Sequence, residues 1–173
     1  MKTRKIVISG LLIAIGVLLP IIFHSMSMGG QIFLPMHIPV LIGGILLGPF
    51  YGTLIGITTP LLSSFLTGMP PAFPMLPIMV FELGTYGLTS GYIAKLYPKK
   101  VVLPLLGGMV DGRISAALVV FVLSRFFGVK LSPLLFLKGA ILTGLPGILI
   151  QLIIIPPIVI GLKKNFKSLG QDL

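Results

Sequence analysis

Only three acidic residues, Glu82, Asp111 and Asp172, accompany thirteen Lys and Arg in this chain of 173 residues. Asp172 lies in a polar tail, whereas Glu82 and Asp111 sit inside long apolar runs together with Arg113. Ionisable groups in such runs are expensive to keep in a bilayer, so a functional role is the first reading. At ~1.5 Å per residue, Glu82 lies ~18 Å from the end of its run at Ala94, and Arg113 ~18 Å from the start of its run at Val101. The two therefore meet at one level. Asp111 and Gln151 each lie ~15 Å from the same face, which extends a polar layer across three helices. Asp111 and Arg113 are two residues apart, ~200° around a helix, and cannot both face one pocket unless the helix bends at Gly107, Gly108 or Gly112. Two readings of Glu82 and Arg113 stand side by side: a ligand site, or a buried ion pair that only fixes helix packing.

Other polar residues are candidates of a weaker kind. His37, flanked by Pro35, Met36 and Pro39, sits just inside the outer end of its run, where a lone histidine is either hydrogen-bonded in place or touches a ligand. Tyr86, Thr58, Thr59, Ser63 and Ser64 offer neutral hydrogen bonds, although Ser and Thr in membrane helices commonly bond their own backbone. Several chemistries are excluded. The chain has no cysteine, which removes disulfides, thiolate metal sites and cysteine nucleophiles. It has no Gly-Lys pair for a P-loop, no Gly-x-Gly fingerprint and no His-Glu-x-x-His, so neither ATP hydrolysis nor zinc proteolysis is expected, and no cofactor or metal. Asp111-Gly112 lacks the further aspartates that a metal-dependent transferase needs.

The elements that must carry these residues are membrane helices. With 55% hydrophobic and 9% charged residues, the composition lies far outside that of soluble domains. The net charge of +10 does not point to nucleic acid, because the basic residues cluster at the ends of apolar runs and not along one face. Six runs are readable, at about 6–23, 35–48, 51–67, 75–94, 101–124 and 138–161, forming one integral membrane domain over 1–173. The first resembles a signal peptide but is long, lacks a small-x-small cleavage site and is read as a retained helix. Lys2, Arg4, Lys5, Lys95, Lys99, Lys100, Lys163, Lys164 and Lys167 fall on one side and Arg125, Lys130 and Lys138 on the other, which predicts cytoplasmic termini. The external connections are then 24–34, 68–74 and 125–137. Pro70, Pro71 and Pro74 stiffen the second of these, as a shaped cap over a site would require. Small residues recur four apart, at Gly10/Ala14, Gly44/Gly48, Gly52/Gly56, Gly87/Gly91, Gly108/Gly112 and Ala140/Gly144, the spacing that lets helix backbones approach.

The stretch PVLIGGILLGPFYGTLIG from Pro39, followed by the Pro-rich 69–74 segment and a helix bearing Glu82, resembles the substrate-binding S component of energy-coupling factor (ECF) vitamin transporters. The resemblance implies an all-α bundle of six transmembrane helices with both termini inside, in the plasma membrane of a prokaryote. It also implies a pocket for a vitamin-like small molecule, open to the outside, and transport only with a coupling membrane subunit and two ATPase subunits. In that family a small-xxx-small face on the first helix docks on the coupling subunit. Gly10 and Ala14 are the matching positions here, although the family more often has Ala at both. The substrate-binding candidates are Glu82, Arg113, Asp111, His37, Gln151 and Tyr86. A stand-alone carrier or small oligomeric channel using Glu82 or Asp111 as a proton relay is the alternative. It expects an internal repeat or dimer symmetry, and no clear repeat is readable.

Overall fold

A short helix, α3 (His37–Leu47), is the axis of the bundle. The computed structural model describes residues 2–25 and 30–168, all of whose regular structure is helical. The other helices are α1 (Lys2–Ser25), α2 (Gly30–Phe33), α4 (Pro49–Thr67), α5 (Met75–Leu96), α6 (Val102–Phe126) and α7 (Pro133–Ser168). Of these, α1, α4, α6 and α7 are long and apolar enough to cross a membrane. At 22 residues α5 has the length, but Glu82, Thr85, Thr89 and Ser90 make it more polar. Asp172 and most of the connection after α1 lie outside the described residues.

The second apolar run, expected as a span over 35–48, forms only the 11 residues of α3, ~16 Å of helix against the ~30 Å of a hydrocarbon core. Its sequence is apolar all round because it is buried all round. α3 touches α1, α4, α5, α6 and α7, and every residue but Ile38 is buried. Val40, Leu41, Ile45 and Leu46 join Ile55, Leu83, Leu105 and Ile155 from the surrounding helices in the main core. α3 stops at Gly48, whose φ of 93° a side chain would strain, and α4 begins at once with Pro49, whose missing N–H costs nothing at a helix start. The turn is thus a single residue.

The four-residue spacing of glycines explains how tightly α3, α4 and α5 pack. A Cβ on Gly52 would lie 2.5 Å from the Gly87 carbonyl oxygen and 2.6 Å from Gly44 Cα, so three backbones meet at one point. One turn further, a Cβ on Gly91 would lie 2.5 Å from Pro49 N. On the outside of the bundle the usual polarity is reversed. Phe65, Ile153, Val7 and Leu142 are largely exposed, while His37, Glu82, Arg113, Gln151, Thr59, Ser63 and Ser90 are buried. Apolar outside and polar within is the arrangement of a protein whose solvent is lipid.

Both expected bounds of the last run move. The last run, read as 138–161, is a 36-residue helix from Pro133, so Lys138 lies within α7 and the preceding connection is short. The 68–74 connection keeps its expected bounds between α4 and α5 and is bonded to the end of α4. Ser63 Oγ donates to the Met69 carbonyl at 2.7 Å, Ser64 Oγ to the Pro70 carbonyl at 2.7 Å, and Thr67 Oγ1 accepts from Met69 N at 3.2 Å.

Candidate functional site

Because α3 is short, it begins at mid-depth. Counted from Gly48, where α3 meets α4, His37 lies ~16 Å into the bundle, and Arg113 lies ~16 Å from the start of α6. His37 is therefore not near the outer end of a full span, as its place in the apolar run had implied, but level with the charged residues of α5 and α6. On α5, Ile78, Glu82, Tyr86 and Ser90 are four apart and buried, a single inward stripe. On α6, Met109, Arg113, Ala116 and Val120 face inward in the same way.

These elements bring three ionisable side chains together. Arg113 Nη1 lies 2.7 Å from Glu82 Oε1, and His37 Nε2 lies 3.5 Å from the same oxygen. The Arg113–Glu82 contact is close enough for an ion pair but out of line for a directional hydrogen bond. The Tyr86 ring meets the His37 ring edge to face, with centroids 4.9 Å apart, and its flank is accommodated by Gly112, where a Cβ would strike it. Exposure is 3% for His37 and Glu82 and 8% for Arg113. Among the described residues, no group bonds Arg113 Nε or Nη2, nor either nitrogen of His37. A buried polar group left unbonded costs about 1–3 kcal/mol, more if charged, so the cluster is a poor way merely to hold helices together.

The fourth wall comes from α7 and the segment before α3. Gly144 faces Arg113, and a Cβ there would lie 3.3 Å from Nη2 and 3.0 Å from Leu34 Cδ1. Two turns on, the buried Gln151 donates through Nε2 to the Leu34 carbonyl at 3.4 Å, which also accepts the His37 amide at 3.1 Å. Leu34 itself is left-handed, φ 49°, an uncommon state for a leucine. Gly147 lets the α2 backbone rest directly on α7, since a Cβ there would lie 2.7 Å from the Ile32 carbonyl oxygen. The buried, non-helical stretch Leu34–Met36 is thus clamped beside the cluster.

Asp111 is placed elsewhere. Its Oδ2 accepts a hydrogen bond from Thr89, and Thr85 Oγ1 donates to the Phe81 carbonyl at 2.7 Å and lies 3.0 Å from Ser115 Oγ, forming a second, half-buried polar seam between α5 and α6. The two-residue offset separates Asp111 from Arg113 around α6, so the seam runs beside the Arg113–Glu82 pair at the same helix interface and the expected layer divides in two. Thr59 bonds the Ile55 carbonyl at 2.6 Å, within its own helix, while Ser63 and Ser64 hold the 68–74 connection. Sequence reasoning missed Leu34, Gly144 as a neighbour of the guanidinium, and Gly147. Only the Ala140/Gly144 spacing hinted at a close approach by α7.

Gly10 and Ala14 are exposed on α1, and nothing lies within 4 Å of where a Gly10 Cβ would be. Comparison with curated proteins and with solved structures gives no match. A family description, ECF transporter, substrate-specific component, matches residues 4–159. With nearly the whole chain matched, and a buried charged cluster inside an apolar helical bundle, this protein belongs to the substrate-specific components of ECF transporters.

Proposed function

We propose that the protein is a single membrane domain with six crossings and both termini cytoplasmic, which binds a vitamin-like small molecule from outside the cell. An ECF coupling subunit and two ATPase subunits would then drive its delivery inward. In this reading α3 makes the second crossing together with the non-helical segment before it. The observation that carries the proposal is the Arg113–Glu82–His37 cluster with its unbonded, buried nitrogens, at the start of the helix that the Leu34–Met36 stretch leads into. Irregular backbone at membrane depth is tolerated where it is buried in protein or lines a cavity, and transporters place their solute sites beside such breaks. Glu82, Arg113, His37, Tyr86 and Gln151 are the residues assigned to the solute site. Asp111 is assigned to helix packing, because Thr89 holds it outside the cluster.

The unpartnered Gly10/Ala14 face of α1 is assigned to the coupling subunit. The test is reconstitution in vesicles with the coupling subunit and both ATPases, followed by identification of the small molecule that enters only with ATP. ATP-dependent entry that requires this chain is the expected result. Equal entry by this chain alone, driven by a pH gradient, would replace the proposal with a secondary carrier.

A further inference from the structure

Arg113 is only partly used by Glu82. The carboxylate sits at Nη1, whereas Nε and Nη2 form the side-on edge of the guanidinium, two parallel N–H donors spaced to fit the two oxygens of a carboxylate. Both donors are buried, and none of the described residues bonds them. On the α7 side Gly144 brings only backbone to that edge, since a side chain there would begin 3.3 Å from Nη2. α3 begins at His37 in the same cluster, so the positive end of its dipole adds to a field that favours an anion.

Charge counting then adds a condition. Arg113 and Glu82 already cancel, and an arriving carboxylate would leave the buried cluster one negative charge in excess. Among the described residues, the titratable groups facing the cluster are His37 on α3, Glu82 and Tyr86 on α5 and Arg113 on α6; α7 presents Gln151 and Gly144. Of these, the Glu82–His37 pair is placed to take a proton, because Nε2 lies 3.5 Å from Oε1 and a proton on either group would set a donor opposite an acceptor. We infer that the solute is a carboxylic acid bound together with one proton. Its carboxylate lies on the Nε/Nη2 edge of Arg113, and the Glu82–His37 pair accepts the proton.

This rests on the reading of the cluster as the solute site. The test uses the full chain in lipid nanodiscs and titration calorimetry with matched probes: nicotinate and nicotinamide, biotin and biotinamide, pantothenate and pantothenol. Any small molecule extracted from the purified protein and identified by mass spectrometry joins the panel, with its methyl ester if it is an acid. An acid should bind at least about tenfold more tightly than its neutral counterpart. In buffers of different ionisation enthalpy it should take up about one proton, with affinity falling as pH rises from 6 to 8.5.

Glu82→Gln should bind the same acid without proton uptake and with a flat pH profile, because the added charge is then met by Arg113 alone. Arg113→Gln combined with Glu82→Gln, the neutral pair, should lose the preference for the acid. Neutral probes binding as tightly as acids, acid binding without proton uptake, or no binding by any acid would each overturn the inference. The transport reading fails separately. ATP-driven entry of a neutral solute would sink the acid and leave the transporter, and an acid bound with its proton but never moved would do the reverse.

Discussion

At Arg113 the charge is answered and the hydrogen bonds are not. Glu82 removes the penalty of an isolated buried cation, so removing either partner alone strands the other. Arg113→Gln should destabilise the bundle by about 3–5 kcal/mol, and adding Glu82→Gln should recover most of it, since neither charge then remains. Thermal unfolding of both singles and the double in one detergent measures this; singles as stable as the parent would show that the pair is not isolated from solvent. The residues of this site were legible from depth counting, because ~1.5 Å per residue brings Glu82 and Arg113 level wherever the helix ends fall within a few residues. Their partners were not. Whether Arg113 or Asp111 faced Glu82 depended on helix rotation, and a two-residue offset says only that they diverge. His37 was misplaced for another reason, since nothing in Pro35–Pro39 shows that the helix starts at mid-depth.

Among the elements, α3 shows how an apolar run can be read correctly as buried and wrongly as a full span. Its apolar residues and its glycines serve a core position ringed by five helices, and hydropathy does not tell lipid from protein as the surrounding medium. The glycine spacing, in contrast, translated directly into contact. Gly52 and Gly87 bring the α4 and α5 backbones together, and no rotamer change can relieve a clash with a carbonyl. Gly87→Val should therefore cost more than about 3 kcal/mol, as overpacking with a forced backbone shift does. Gly10→Val, with open space at the same kind of motif, should cost less than about 1 kcal/mol. Thermal melts of the two variants in one detergent make the comparison. Comparable losses would mean that the α1 face is packed against something within the folded chain.

For the whole molecule, orientation and docking follow from charge and from which face is left open. In the proposed arrangement, which follows the nine-to-three division of basic residues, both termini are inside, so Thr3→Cys and Ser168→Cys should react with impermeant reagents only from the cytoplasm, and Ala72→Cys only from outside. Opposite labelling of the termini would end the six-crossing arrangement. The open face of α1 carries the last expectation. Ile6, Val7, Leu11, Leu18 and Ile22 are exposed along it, with Gly10 and Ala14 forming a shallow strip where a partner backbone could come close. Gly10→Leu with Ala14→Leu would fill that strip while leaving the cluster at His37, Glu82 and Arg113 intact, since a side chain at Gly10 would begin in open space and Ala14 is exposed. Solute binding to the isolated double variant should stay within about twofold of the parent, while ATP-dependent uptake in reconstituted vesicles falls by at least about tenfold. If binding and uptake fell together, α1 would be bracing the solute site; if neither changed, the coupling subunit would have to meet another face of the bundle.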